Sequence, residues 1–481
     1  MKISSHTTIL NHIILLFITN RLLLYFLFCL KFLTKRQNAM NTKIILPVTL
    51  LLLNIVACNT TDPPPDSEKP TLKLKLEDVS CIEAWIRLTT TNLQLPATVI
   101  IKQYNSTGDT LSHISILDTQ DSLLYIDSLL PNQTYKFHTT IQSYNQAEVK
   151  SNELSVTTMD TTSHNFTFET FTFGGTAGSS VLYDVAIIND NYIIAVGNVF
   201  LLESIGQPDP QPYGIAIWNG QSWELKKIFH STNIPVTPRG ILVISENEIY
   251  LAAGSIFRWD GVSSTVQMVY SRLSLPNPNA TIEKLWGESN SQIYGVGNAG
   301  SIVFYNGTSW SRIESGTELN INDIWGDYNQ KTGEWEILAV ASNKFFNEGK
   351  KIFKIDGLLV TEINVVGLTW SLSSIWFNAA RKYFIAGDGI YYKKTLNESW
   401  VKDLTFIQIY KDRIRGTQLN NILVSGSNGL ISHFNGVNWK HYINNELPYY
   451  SGRLLSCDVK DNILIAVGWK EIQAIITMGK K

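Results

Sequence analysis

The sequence predicts an all-β protein, a small β-sandwich followed by a β-propeller of seven blades, and three observations predict it. Seven times after residue 190 the chain returns to one short phrase, two small, mostly apolar residues closed by Gly or Ala. The phrase ends at Gly197, Gly254, Gly297, Ala341, Gly387, Gly426 and Gly468. A repeat of roughly 40 to 50 residues built of short strands is the mark of a propeller, one repeat to a blade. Aromatic residues abound, with 13 Trp and 20 Tyr, and beyond the N-terminus no long apolar pattern of period 3.6 occurs; helices therefore have little to build on. Between residues 71 and 160, apolar alternation recurs in short runs, as the strands of a sandwich require. At 481 residues, 44% hydrophobic and 17% charged, the chain can bury a sizeable core and divides into two domains.

The N-terminal region reads as targeting sequence, and it is doubled. Residues 9–33 hold an apolar stretch broken by Arg21 and Lys31. Met40 then opens a cleaner signal, with Lys43 as the charged start, Ile44 to Leu53 as the apolar core, and the run Ile55-Val56-Ala57-Cys58. That run resembles a bacterial lipoprotein box, in which a cysteine takes a diacylglycerol and becomes the mature N-terminus. The chemistry needs a thiol nucleophile there and small residues before it to fit the peptidase. The resemblance implies a signal peptide over residues 40–57, lipidation of Cys58, a membrane partner reached through the lipid, and residence in the cell envelope at the outer membrane or cell surface. An ordinary signal peptide with an incidental Cys58 is the alternative. On the lipoprotein reading Met40 is the start and residues 1–39 are an over-extended reading frame. The rival is a double-spanning anchor, which would hold Arg21 and Lys31 in hydrocarbon. Residues 58–70, with Pro63, Pro64 and Pro65 among Asp62, Asp66 and Glu68, read as a semi-rigid tether.

The sandwich is expected over residues 71–160. Its strands are Leu72 to Leu76, Ala84 to Leu88, Thr98 to Tyr104, Ile114 to Leu117, Leu123 to Ile126, Tyr135 to Ile141 and Leu154 to Thr157. The stretch Leu130-Pro131-Asn132-Gln133-Thr134-Tyr135 resembles the corner of a fibronectin type III domain, whose Tyr hydroxyl caps the crossing loop. The resemblance implies that Trp85 is the core tryptophan and that the domain is a spacer lifting the propeller from the membrane. Cys81 and Cys457 fall in different domains, so each is expected as a small buried side chain and not as half of a disulfide.

The propeller is expected over residues 165–481. Each blade opens with an innermost strand: Val181 to Ile188, Gly240 to Ile244, Ile282 to Gly287, Ile321 to Gly326, Leu372 to Phe377, Asp412 to Gly416 and Leu454 to Val459. A later turn reads Trp218-Asn219-Gly220-Gln221-Ser222-Trp223, Tyr305-Asn306-Gly307-Thr308-Ser309-Trp310 and Phe434-Asn435-Gly436-Val437-Asn438-Trp439; Asn-Gly favours hairpin turns because both residues can adopt positive φ. The last blade lacks a fourth strand, and the Thr-Phe alternation of Asn165 to Phe173 has no blade of its own; it is expected to close the ring. The design resembles propellers of sialidase-type repeats and of the photosystem assembly factor. The sialidase turn, however, reads Ser-x-Asp-x-Gly-x-x-Trp, and no triple arginine with a Tyr-Glu pair is assignable here.

Catalytic signatures are missing. The sequence holds no Gly-Lys-Ser/Thr phosphate loop, no Gly-x-Ser-x-Gly elbow, no His-Glu-x-x-His and no paired cysteines, so no catalytic residue, metal site or cofactor is assigned. A net charge of −2 leaves no basic footprint for nucleic acid. One constellation stands out. Aligned innermost strands put Asp184, Lys284, Asp323 and Arg413 in one column, Arg239, Glu283 and Asp412 one position earlier, and Trp286, Trp325 and Trp376 two beyond. Such a ring would either bind a glycan or protein ligand at the channel mouth or pair internally, with the tryptophans packed between blades. The function expected is a lipid-anchored binding or scaffolding platform; the alternative is a carbohydrate-active enzyme, a glycoside hydrolase, lyase or glycosyl transferase.

Overall fold

Alternating apolar and polar residues build eight short strands at the start of the domain region of the computed structural model, which describes residues 69–141, 148–203, 206–231, 233–343, 349–369 and 371–481. Cys58 and the segments before it lie outside the described residues. The strands are β1 (Thr71–Val79), β2 (Ala84–Thr91), β3 (Ala97–Tyr104), β4 (Thr110–Leu117), β5 (Asp121–Ile126), β6 (Thr134–Ile141), β7 (Val149–Lys150) and β8 (Leu154–Thr157). They form two antiparallel sheets, β1-β2-β5 and β4-β3-β6-β7, with β8 also on β6. Ile86, Leu88, Val99, Ile101, Phe137 and Val156 fill the space between them. The Leu130 N–H donates to the Tyr135 hydroxyl at 2.9 Å, which closes the corner after β5.

Trp85 does not join that core. Side chains alternate along β2, so with Ile86 and Leu88 inside, Trp85 points out. It is buried instead against the second domain, in a cluster with Trp376, Phe384 and Phe406, and the Arg381 guanidinium lies 5.6 Å from its ring.

Among the described residues that second domain holds, besides the two-stranded pair Phe229–His230 and Ile234–Pro235, seven four-stranded antiparallel sheets. Their first strands are Val181–Asn189, Gly240–Ser245, Thr281–Ser289, Ile321–Asn329, Leu372–Asn378, Lys411–Gln418 and Gly452–Lys460. Each first strand touches that of the next sheet, and the seventh touches the first, so the sheets close a ring. The seventh sheet takes its outer strand from β9 (Thr167–Phe173), paired along Gln473–Lys480 with Phe173 opposite Ala474 and Thr167 opposite Lys480. An edge that would otherwise stand open is thereby covered.

The repeated phrase has a steric cause. In six sheets the first strand carries a bulge near its start, between Leu182 and Asp184 in the first and between Ile282 and Lys284 in the third, for example. The closing glycine of the second strand faces that bulge. A Cβ on Gly197 would lie 2.2 Å from the Val181 carbonyl oxygen, and one on Gly468 would lie 1.9 Å from that of Arg453. In five of the six bulged sheets glycine allows this approach of the two backbones, whereas the fourth closes on Ala341 opposite Ile321.

The Asn-Gly turns use positive φ at one of their two central positions. Only the glycine takes positive φ, 93° at Gly220 and 88° at Gly307. The preceding Asn stays at negative φ and caps the turn with its side chain: Asn219 Oδ1 accepts from the N–H groups of Gln221 and Ser222 at 3.0 and 2.9 Å. Asn306, Asn435 and Asp260 do the same. The flanking aromatics meet across the turn, Trp218 with Trp223 at 5.6 Å and Tyr305 with Trp310 at 5.1 Å, and extend to the adjacent sheet through Phe171 and Tyr270.

Sandwich and propeller form one unit over Pro70–Lys481. Asp78 Oδ2 accepts from Arg381 Nε at 2.8 Å, and Glu83 Oε1 accepts from Lys382 Nζ at 3.0 Å and from the Tyr125 hydroxyl at 2.9 Å. Cys81, buried and unbridged, donates to the Asp160 carbonyl at 3.1 Å. The propeller residues involved belong to turns between first and second or third and fourth strands, so the sandwich occupies one face of the ring. It is a docked body and not a free stalk.

Candidate functional site

The bulges position the candidate residues. The residue following each of the six is Asp184, Lys284, Asp323, Ser374, Arg413 or Ser456. These side chains converge across the ring. Asp323 Oδ1 accepts from Arg413 Nη1 at 2.6 Å and from Arg415 Nη2 at 2.8 Å; its Oδ2 accepts from Arg415 Nη1 at 2.9 Å, the Ile375 N–H at 3.1 Å and the Ser374 hydroxyl. Asp184 accepts from Lys284 Nζ at 2.9 Å and the Ser456 hydroxyl at 2.6 Å, and Arg413 Nη2 lies 3.5 Å away. The ion pairs join the first sheet to the third and sixth, and the fourth to the sixth. A cluster that links sheets two apart occupies the axis, so it plugs the channel.

Electrostatics follow from this geometry. Burial alone would raise the Asp323 carboxyl, but Arg413 and Arg415 outweigh it and hold the group far below the usual carboxylate range. Burial likewise opposes ionisation of Asp184, and Lys284 and Arg413 reverse the sign. Lys284 is pushed down to about 8 by burial, against the pull of Asp184, and stays charged at neutral pH. Each of these charges has an ionic partner, so the plug fixes strands; beside it Asp458 of the seventh sheet accepts from the Ile187 and Val459 N–H groups and is pushed up to about 6 by burial.

The tryptophans two positions on are packing residues. Trp286 and Trp376 are buried and lie over glycines of the next sheet: a Cβ on Gly326 would come 2.3 Å from Trp286, and one on Gly416 2.9 Å from Trp376. Trp325 donates to the Phe377 carbonyl at 3.3 Å and carries the Arg415 guanidinium 4.9 Å from its ring. Asp412 pairs with Arg453. Of the predicted residues, Arg239 alone is largely exposed, at 54% of its side chain, 3.6 Å from Glu283 and stacked on Tyr183 at 5.0 Å. Sequence reasoning missed Ser374, Ser456 and Arg415. The two serines lie in the same column as the four charges, and Arg415 takes the tryptophan position in the sixth sheet.

A cleft opens on the face opposite the sandwich, where first strands begin. It has a volume of about 620 Å³ and is lined by Asn277, Ala299, Arg312, Glu314, Ser315 and Glu318 among others. A polar lobe of about 390 Å³ shares Asn277, Ala299 and Glu318 and adds Asn279, Asn298 and Asn320. The wall is tied to the axis. Asn298 Nδ2 donates to Thr281 Oγ1 at 2.8 Å and to Glu283 Oε1 at 3.5 Å, Glu283 pairs with Arg239, and the Arg239 carbonyl accepts from Lys284 at 3.0 Å. Asn298 Oδ1 is buried without a hydrogen-bond partner. Among the described residues no group of three or more His, Cys, Asp or Glu is placed to hold a metal.

Fold and site together define a β-propeller with a plugged axis and a polar cleft on one face. No protein-family model matches the chain, and no curated protein matches it. Among solved structures it is similar to YCF48 bound to D1 peptide, at 13% identity and a TM-score of 0.47 over 65% of this chain and 97% of that one. It is also similar to the C-terminal WD40 domain of Sif2, at 10% identity and a TM-score of 0.40 over 72% of this chain and 90% of that one.

Proposed function

We propose that the protein is a lipid-anchored component of the bacterial envelope whose propeller is a binding platform for a polar ligand, a glycan or a protein segment. The observation that carries this reading is the division of labour among its polar residues. The charges at the axis are spent on one another, whereas the amides and carboxylates of Asn277, Asn298, Asn320 and Glu318 line an open cleft. Side-chain amides both donate and accept, which suits hydroxyl groups and peptide units alike. The sandwich, a fibronectin type III-like module on this reading, sits between the anchor and the propeller in sequence and covers the opposite face.

The test is a glycan and peptide array probed with the full-length protein, the Asn298→Ala and Glu318→Gln variants, and Asn189→Ala as a control outside the cleft. Loss of the same ligand in the two cleft variants, with the fold retained, is expected. Mass spectrometry of membrane-extracted protein should show an acylated N-terminal cysteine at Cys58, and an unprocessed mature chain would sink the anchor.

A second reading rests on Glu314 and Glu318, two carboxylates on one cleft, which glycoside hydrolysis requires. Arg312 is paired with Glu314, however, and is thereby drawn to one of the two. Release of reducing ends from a bound glycan, lost in Glu318→Gln, would favour the enzyme over the platform.

A further inference from the structure

Four strand edges bound the two sandwich sheets, and three are blunted. The β1 edge carries exposed Lys73 and Lys75 and a bulge between Leu76 and Asp78. On β5, Leu123 and Tyr125 pack against the propeller cluster. The edge on the far side of the second sheet is broken into two short pieces, β7 and β8. Lysines, bulges and short strands are the usual devices that keep edges from pairing with other chains.

The fourth edge, β4, has none of them. It runs eight residues, Thr110–Leu117, without charge, proline, glycine or bulge, and among the described residues it pairs with β3 alone. Ile114 and Ile116 are 73% and 67% exposed on its outer face, and Leu111 is 60% exposed on the other. A free edge of this length presents a row of backbone donors and acceptors beside an apolar strip.

We propose that β4 is a self-association edge, at which a second copy of this chain adds its own β4 antiparallel about a two-fold axis through Ile114. The pattern of the strand argues for a copy of itself over another partner. Reversed on Ile114, it sets Leu111 against Leu117, Ser112 against Ile116, His113 against Ser115 and Ile114 against Ile114. Directly opposed residues on antiparallel strands share a face. The exposed Ile114 and Ile116 of both copies therefore merge into one outer strip, and each exposed Leu111 meets the Leu117 of the other copy, which is buried in that sandwich core. No like charges are opposed, and a two-fold contact of one surface on itself closes after two copies. The two five-stranded sheets become one.

The register gives the test. In Ile114→Lys and Ile114→Glu two like charges face each other at the dyad, so each variant of the full-length protein in detergent should sediment as a monomer where the unaltered protein sediments as a dimer. Mixing I114K with I114E sets Lys opposite Glu and should restore the dimer, which also shows that both variants are folded. A monomeric unaltered protein at the highest accessible concentration overturns the proposal. So does a dimer that survives I114K, which would place the contact elsewhere, or an unaltered protein that co-purifies at β4 with a different polypeptide.

Discussion

Arg413 and Asp323 are 90 residues apart in the chain and 2.6 Å apart across the middle of the ring. Arg413 also stands 3.5 Å from Asp184 of the first sheet, so one guanidinium bridges two carboxylates from opposite sides of the propeller. Ring closure is thus secured twice, by β9 at the outer rim and by ion pairs at the axis. A charge cluster this deep is stable only when complete, because each member pays its desolvation from the attraction of the others.

Replacing Asp323 with Ala should therefore destabilise the fold by about 3–5 kcal/mol, since two buried guanidinium groups lose their shared partner. Urea unfolding reads the change, and ligand capture by the surviving folded protein should persist. A variant of full stability that loses binding would return Asp323 to the ligand site. The sign with pH follows from the same pairing. Asp323 is held below its unfolded value near 3.9, so its contribution is complete above that pH and is lost as pH falls beneath it.

Much of this was legible in the sequence, and what was not has physical reasons. The repeat marks the sheets because in five of them the closing glycine answers a bulge, where a Cβ would meet the facing carbonyl. The same periodicity aligned Asp184, Lys284, Asp323 and Arg413. It did not single out Ser374 and Ser456, because a serine in a strand carries no signal until its neighbour is known to be a buried carboxylate. Whether the column was open or self-paired depends on which sheets face each other across the axis, and linear spacing does not contain that. The docked Trp85 was hidden for a related reason: alternation shows that it leaves the sandwich core, and only the other domain shows what it enters. Most of the cleft is built from loops, which have no period to read, although Asn298 and Arg312 lie in strands.

Trp85→Ala should uncouple the two domains. Its ring is 3% exposed among Trp376, Phe384 and Phe406, and truncating a buried tryptophan costs about 3–5 kcal/mol. The sandwich core, which excludes Trp85, should survive. Calorimetry is expected to show the single unfolding transition split into two. A uniformly lowered single transition would mean that Trp85 supports the sandwich itself.

Acidification should loosen the join between domain and linker. His164 Nδ1 and His433 Nδ1 lie 2.9 Å apart, a hydrogen bond that needs one ring neutral, and His433 Nε2 bonds Asn421 Oδ1 at 2.9 Å. Burial first, then His164 and Lys481, push His433 down to about 3. Its unfolded value is about 6.5, so the unfolded chain binds the extra proton between those limits. The stability it confers is whole above about pH 6.5 and falls with pH by up to about 1.4 kcal/mol per unit. Denaturation at pH 7.5, 6.0 and 5.0 should show this slope, and His433→Gln should flatten it. Parallel curves for the two proteins would assign the slope to other groups.

Deleting residues 165–173 should cost the propeller far more than deleting the sandwich. Without β9 the strand Gln473–Lys480 becomes an open edge, and Phe171 no longer packs at 5.9 Å from Trp218 and 6.2 Å from Trp223 of the first sheet. Each buried backbone group left unpaired costs about 1–3 kcal/mol, and a seven-residue ladder strands several at once. Removing the sandwich bares a single face and leaves every ladder of the ring intact, because its contacts there run through Trp85, Leu123, Tyr125, three salt bridges and the linker. Thermal melts of the two truncations compare these costs. The larger drop is expected for the loss of β9, and equal melting temperatures would mean that the axial ion pairs close the ring without it.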